Sequence, residues 1–392
     1  MNKNILNTGV QDFIENNLNA DIMSVVLKKS IFPKVSSKEL AEQIEAKKKC
    51  LKKLPSWYNS KNIYYPNKLN IEQCSSEITA EYKAGIVDGK SLLDLSGGFG
   101  VDSYYFSKKM QQVIHCEINE KLSQIASHNF DVLGVKNIET IQADGLVFLD
   151  KTQQTFDWIY LDPSRRSTAK EKVFILSDCT PNIVEHLELL FSKTKNILLK
   201  TSPLLDLSLG IQQLKFVKEI HIVAVNNDVK ELLWVLKRDY QGDVTITPIN
   251  FAKKRIESFR YLLSDEKNSF PLYSLPLSYL YEPNASILKS GAFKNIAIKY
   301  NLQKLHENTH LYTSSELLDF PGRRFKILNI LEYNKKGLKK LDVGKANITT
   351  RNFPYTVVEI RKRFKIKDGG DNYLFFTKSI NPGYLVIECQ KI

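Results

Sequence analysis

A doubly wound α/β fold, preceded by a helical region and followed by a small basic α+β module, is what this 392-residue chain predicts. Three observations lead there. Between Lys90 and Ser202, short β-rich runs alternate with helical stretches, the texture of strand–crossover–strand units that build a parallel sheet covered on both faces. The next two β-rich runs, on either side of Asp228, are too close for a crossover of a dozen residues and must form an antiparallel hairpin. The first strand of the series runs straight into a glycine-rich turn, LLDLSGGFG from Leu92 to Gly100, a device that brings a backbone close to a ligand.

In chain order, residues 1–86 read as a helical N-terminal region. Ser36 and Glu39 form a capping box in front of a helix that Pro55 ends, and SSEITAEYKAGIV at 75–87 reads as another helix. A ligand-binding α/β domain spans 87–245, with strands at 91–96, 112–118, 137–144, 156–163 and 196–202 and the hairpin at 219–227 and 231–239. Residues 246–320 read as a small mixed α/β connecting domain of ferredoxin-like type, with 282–300 helical. The final domain covers 321–392. In it Pro354 opens a helix that carries Val357, Ile360 and Phe364 on one face, Gly369-Gly370 ends it, and strands at 373–378 and 384–391 flank an Asn-Pro-Gly turn.

The composition, 43% hydrophobic and 25% charged, excludes disordered and collagen-like classes. Formal net charge is +13, and residues 323–367 hold 14 Lys and Arg against 3 Asp and Glu, so +11 sits in that segment. Such a concentration favours an anionic partner; a solvated lysine-rich surface is the alternative. Five scattered cysteines form no C-x-x-C pair, which suits a reducing compartment, not a disulfide scaffold or zinc ribbon. With no apolar leader and no run of about 18 apolar residues, the expected location is the cytoplasm, with no membrane partner.

Alone, the glycines Gly97, Gly98 and Gly100 say little, because dinucleotide-binding folds use the same turn. Their companions narrow the choice. Glu117 ends the second strand, where a carboxylate can take both hydroxyls of a ribose; Asp144, in QADG, ends the third; Asp162-Pro163 ends the fourth. All stand at carboxyl ends of strands, where open α/β sheets bind ligands. For Asp94 a turn-capping role is the alternative. In these features the chain resembles the Rossmann-like class I S-adenosylmethionine-dependent methyltransferases. DLSGGFGVD looks like their motif I, Glu117 like motif II, Asp144 like motif III and LDPSRR (161–166) like motif IV. More narrowly, NIEQCSSEITAEYKAGI and FPYTVVEIRKRFKIKDGGDNYLF resemble a bacterial group of these enzymes with a C-terminal THUMP-like domain. The resemblance implies S-adenosyl-L-methionine as cofactor, held by Asp94, Ser96, Gly97, Gly98, Gly100, Asp102, Glu117, Ile118, Asp144, Gly145 and Asp162. It implies catalysis at Asp162, Pro163, Ser164 and Arg165, and RNA, tRNA or rRNA, as partner.

Motif IV here is Asp162-Pro163-Ser164-Arg165, with arginine where many amino-methyltransferases of nucleic acids place a base-stacking aromatic. Arginine can stack by its guanidinium plane or grip phosphate, so a nucleic-acid substrate stays consistent. Arg165, Arg166 and Lys200 are the substrate candidates near the site, and Arg361, Lys362, Arg363 and Lys365 those of the basic module. A carbon-5 mechanism needs a thiol near the end of the fifth strand. That strand ends Lys200-Thr201-Ser202, and Cys179 reads as a buried apolar residue on a helical stretch. His306-Glu307-x-x-His310 matches a zinc-protease pattern, but β-rich text after it leaves no helix to hold the two histidines, and no metal is expected. The expected activity is methyl transfer to a base nitrogen of structured RNA. The alternatives are a methyltransferase acting on a protein or small molecule, and a non-catalytic RNA-binding protein with the same fold.

Overall fold

Residues 1–165, 175–338, 341, 343–381 and 383–392 are described by the structure, a computed structural model. The chain falls into two units, Met1–Val217 with Leu233–Gln241, and Lys218–Leu232 with Gly242–Ile392.

Unit 1 opens with α1 (Thr8–Asn16), α2 (Ile22–Leu27), α3 (Ser37–Lys53), α4 (Pro55–Asn59), α5 (Lys68–Gln73) and α6 (Glu77–Ala84). The capping box at Ser36 and Glu39 starts α3, whose Leu40, Ala41, Ile44 and Cys50 are buried along one stripe. Pro55 ends α3 by taking the first position of α4, where its missing amide costs no hydrogen bond. The α/β part follows as β1 (Ser91–Asp94), α7 (Val101–Ser107), β2 (Gln112–Glu117), α8 (Glu120–Val132), β3 (Ile138–Gln142), α9 (Gly145–Lys151), β4 (Phe156–Leu161), β5 (Ser164–Arg165), β6 (Cys179–Thr180), α10 (Ile183–Lys193), β7 (Thr194–Thr201) and α11 (Leu207–Gln213). Its sheet has the order β3-β2-β1-β4-β7 with every neighbouring pair parallel. Leu92, Leu93, Ile159 and Leu161 are fully buried, as strands covered on both faces require. The chain leaves β1 towards β2 on one side and returns to β4 on the other, which makes the carboxyl ends of β1 and β4 the switch point of the sheet.

Two residues, Asn226 and Asn227, join β8 (Val217–Val225) to β9 (Asp228–Lys237), its neighbour in the sheet. Both are left-handed, with φ of 51° and 65°, as the tightest hairpin turn demands. The expected hairpin is therefore present. Beyond it, β10 (Thr245–Phe251) lies parallel to β8, with β11 (Ile256–Ser258) and β12 (Tyr261–Leu262) antiparallel to β10. Pro248 in the middle of β10 withholds a ladder amide, which hides this strand from a reading of the sequence.

The remainder of unit 2 comprises α12 (Leu263–Asn268), β13 (Tyr279–Pro283), α13 (Ala285–Ser290), α14 (Asn295–Lys299), β14 (Gln303–His306), β15 (Thr309–Ser314), β16 (Gly322–Glu332), α15 (Lys335–Leu338), β17 (Lys345–Arg351), α16 (Val357–Phe364), β18 (Lys367–Lys378) and β19 (Tyr384–Lys391). One seven-stranded sheet, β14-β15-β13-β16-β19-β18-β17, runs through it, antiparallel except for β17 and β18, which α16 connects. β18 alternates between two cores: Phe375 joins Leu280, Phe325 and Ile387, while Leu374 and Phe376 join Ile360 and Val386.

Three local expectations are corrected. The stretch 282–300 is not one helix, because β13 takes its start and Gly291, left-handed at φ 78°, separates α13 from α14. Helix α16 begins at a Thr356–Glu359 capping box, not at Pro354. Lys365, left-handed at φ 56°, terminates α16, and Gly369-Gly370 lies inside β18. His306 and His310 occupy the adjacent strands β14 and β15, where His310 stacks on Phe293 with ring centroids 3.5 Å apart.

Candidate active site

The turn after β1 is built by close approaches that no side chain could share. Gly97 donates its amide to the Cys116 carbonyl (2.8 Å), laying the turn across the end of β2, and a Cβ there would meet the His115 ring at 2.2 Å. Gly98 and Gly100 have φ of 58° and 88°, left-handed backbone that glycine adopts at no steric cost. The Gly98 amide donates to Glu117 Oε2 (2.9 Å), and the other carboxylate oxygen of Glu117 accepts from Asn119 (2.7 Å). Behind the turn Asp94 is 1% exposed and accepts from the Ser96 amide (3.0 Å) and Ser103 Oγ (2.6 Å). Burial pushes its carboxyl up to about 7. Ser103 also meets His115 Nδ1 at 2.9 Å, and burial holds that imidazole down at about 4. Asp94 thus braces the turn from beneath.

A cleft of about 650 Å³ opens over this turn. Glu117, with Ile118 (64% exposed) next to it, forms one wall. Asp144 caps α9, accepting from the amides of Leu146 (2.9 Å) and Val147 (3.1 Å) through Oδ1. Gly145 lets that helix start against the Leu95 carbonyl, which a Cβ would approach to 2.4 Å. At the opposite side stand the motif-IV residues. The Asp162 amide donates to Ser96 Oγ (2.6 Å), tying the end of β4 to the glycine turn. The Asp162 carboxylate, through Oδ2, pairs with Lys200 from the end of β7; Lys200 is 12% exposed. Pro163 is buried, and Ser164 and Arg165 form the short strand β5, paired with Thr180 and Cys179 of β6. Cys179 is buried as expected, though on a strand and not on a helical stretch. Arg166 lies outside the described residues.

Beneath the cleft is a buried polar cluster that sequence reasoning missed in part. Asp102, at the start of α7, accepts from Tyr160 Oη (2.8 Å) and Ser75 Oγ (2.9 Å), and its Oδ1 lies 3.3 Å from Lys83 Nζ. Lys83 has no exposed surface and also donates to Ser75 (3.0 Å). Burial pushes Asp102 up, but the charges of Lys83 and Lys200 outweigh it and hold the carboxyl below the usual range. Ser75, Lys83 and Tyr160 were absent from the expected site. A signal existed for one of them: Lys83 shares the stripe of Thr79, Ala80 and Ala84, and a lysine on a buried stripe requires a partner. Asn70, Gln73 and Cys74, from the N-terminal helical region, also line the cleft.

In the basic module, Arg361 is committed to its own fold, donating to the Ala346 carbonyl (3.1 Å), the Ile366 carbonyl (3.3 Å) and Asp368 (2.5 Å). Arg363 donates to Tyr333 Oη (3.1 Å), while Lys362 and Lys365 are exposed. Among the described residues no group of three or more His, Cys, Asp or Glu could hold a metal ion, and no helix is long and apolar enough to cross a membrane.

Sheet order, glycine turn and carboxylates at successive strand ends define a class I methyltransferase fold. Residues 279–321 match a ferredoxin-like domain family and residues 322–391 a family described as THUMP domain-like. A crystal structure of a candidate methyltransferase from Porphyromonas gingivalis W83 is similar over 99% of this chain and 98% of its own, at 31% identity and a TM-score of 0.88. The chain belongs to that protein's family, the class I methyltransferases with a C-terminal THUMP-like domain. More distant similarities include M. capricolum TrmK in complex with S-adenosyl-homocysteine (16% identity, 41% of this chain and 68% of that one, TM-score 0.33) and an rRNA methylase from Streptococcus thermophilus (13%, 41% and 93%, TM-score 0.30). No curated protein matches the chain.

Proposed function

We propose that the chain is an S-adenosyl-L-methionine-dependent methyltransferase acting on a base nitrogen of structured RNA, tRNA or rRNA. The observation that carries this reading is the Asp162–Lys200 ion pair at the ends of β4 and β7, facing two carboxylates with acceptor capacity to spare. A carboxylate offers about four lone-pair directions. Glu117 uses one on Gly98 and one on Asn119, leaving room for two ribose hydroxyls, and Asp144 caps its helix with one oxygen, leaving the other for an adenine amino group. These acceptors therefore fit the cofactor. When bound, S-adenosyl-L-methionine supplies an electrophilic methyl group on a sulfonium.

The chain's own residues have to place a neutral nitrogen in line with that methyl and exclude water. Lys200 holds Asp162 Oδ2, which fixes the carboxylate plane and leaves Oδ1 to accept a substrate N–H and then its proton. Cys74 and Cys116 are on the cleft wall, but burial pushes their thiols up to about 11 and about 12, which favours attack by nitrogen over a route through a thiolate. The RNA part rests on the THUMP domain-like match and on the +11 carried by residues 323–367.

Transfer of radiolabelled methyl from S-adenosyl-L-methionine to total RNA from cells lacking the gene tests the reading, with Asp162→Ala as control. The expected result is label that ribonuclease releases and the variant does not deposit. Label in protein or in a small-molecule fraction overturns the RNA assignment. RNA binding without any transfer leaves the non-catalytic alternative standing instead.

A further inference from the structure

We infer that the THUMP-like module carries a stacking platform for an unpaired nucleobase, formed by Tyr355 and Tyr384 around Phe353 and bordered by Arg363; this rests on the RNA reading above. The rings form a connected set. Phe353 packs edge-on to Tyr384 (5.2 Å between centroids, 83°) and at 6.1 Å from Tyr355, and Tyr333 packs edge-on to Phe353 at 4.9 Å. An aromatic cluster is ordinarily core, and part of this one is: Tyr333, Phe353 and Phe364 pack against buried Ile360, Leu374 and Phe376. Tyr355 and Tyr384 stand outside that core, each 40% exposed. Two tyrosines held by ring contacts on one side and open to water on the other contribute little packing for the surface they leave exposed.

Arg363 shapes the site. Its guanidinium carbon lies 5.6 Å from the Tyr355 ring centroid, 5.9 Å from that of Tyr333 and 5.7 Å from that of Phe364. One of its five N–H donors is committed, to Tyr333 Oη. A planar cation fixed beside exposed aromatic rings can grip a phosphate while the rings take the base. The charge around it selects the occupant. Exposed Lys362 and Lys365 belong to the same segment of net +11, which attracts a polyanion and repels cationic ligands. Stacking requires a base face, and in a duplex those faces are covered, so the occupant is an unpaired nucleotide of the RNA: a loop, a bulge or an end.

The test measures binding of the full-length protein to a fluorescein-labelled single-stranded RNA 12-mer and to a hairpin of equal length with a minimal loop, by anisotropy over a range of salt. Tyr355→Ala and Tyr384→Ala are each expected to weaken the single-stranded probe by roughly 5- to 100-fold, with the slope of log Kd against log salt unchanged. The hairpin stem should be affected less, and Tyr355→Trp should bind like wild type, which separates stacking from damage to the fold. Lys362→Glu with Lys365→Glu should instead flatten the salt slope for both probes. Alanine variants that bind the single strand as wild type does overturn the platform and leave the RNA reading intact. A wild-type protein that binds neither probe overturns both.

Discussion

Gly97 and His115 account for each other. The buried imidazole occupies the space where any other residue at 97 would place its Cβ, so Gly97→Ala forces the ring or the turn to move. Overpacking of this kind costs about 1–3 kcal/mol. The expected outcome is a lower melting temperature together with weaker binding of S-adenosyl-homocysteine by calorimetry, since the displaced backbone is the cleft floor. Asp94 gives a sign-specific prediction at the same scale. Its unfolded carboxyl titrates near 3.8 and its folded one at about 7, so its contribution to stability is full below pH 4 and is lost as the pH rises through 7. His115, folded at about 4 against 6.5 unfolded, contributes above pH 6.5 and loses that contribution as the pH falls through 4. The two oppose each other across one serine. Relative to wild type, Asp94→Asn should therefore gain melting temperature as the pH is raised from 4 to 7; a constant difference across that range would contradict the buried, protonated carboxyl.

At the scale of elements, the Lys83–Asp102 pair fastens α6 to α7 under the cleft, and Ser75 and Tyr160 complete it. Removing one member of a buried pair strands the other charge, at a cost of about 3–5 kcal/mol. Lys83→Met should show that loss in chemical denaturation, and Lys83→Met with Asp102→Asn should recover part of it. The β8–β9 hairpin gives a sterically cleaner case. Asn226 sits at φ 51°, so Asn226→Gly should be tolerated, whereas Asn226→Val should cost about 1–2 kcal/mol because a branched Cβ crowds the backbone there. These elements were legible to different degrees. Strands β1, β2, β4 and β7 announce themselves by apolar runs next to turn residues, and the hairpin by a gap too short for a crossover. Strand β10 carries a proline, and the split of 282–300 turns on one left-handed glycine, neither of which periodicity reports.

Over the whole molecule, the cleft and the excess charge are separated along the chain. The cleft is lined by residues between Asn70 and Lys200, whereas residues 323–367 carry +11 of the net +13. Variants should sort accordingly. Asp162→Ala should lower methyl transfer by roughly 10²- to 10⁴-fold and leave RNA affinity unchanged. Lys362→Glu with Lys365→Glu should raise KM for RNA most at low salt, the difference from wild type shrinking as salt rises, with kcat preserved. Arg361 is unsuited to that charge-reversal test, because its guanidinium supports the Ala346 and Ile366 carbonyls and its loss would damage the module itself.

By itself the sequence determined the alternation of strands and helices from β1 to β7 that makes the parallel sheet, the hairpin that follows it, the glycine turn and the carboxylates at the strand ends. Each of these is written in neighbouring residues: period, turn chemistry, or a charge placed where an apolar run stops. What only the tertiary structure decided is which charges meet. Asp162 with Lys200, Asp102 with Lys83, Arg361 with Asp368 and Arg363 among its tyrosines are pairings made by chain crossings and side-chain reach, and no local pattern encodes them. The same holds for Asp94: its place at a strand end leaves a ligand-binding group and a turn cap both open, and burial beneath the turn is what makes it a brace.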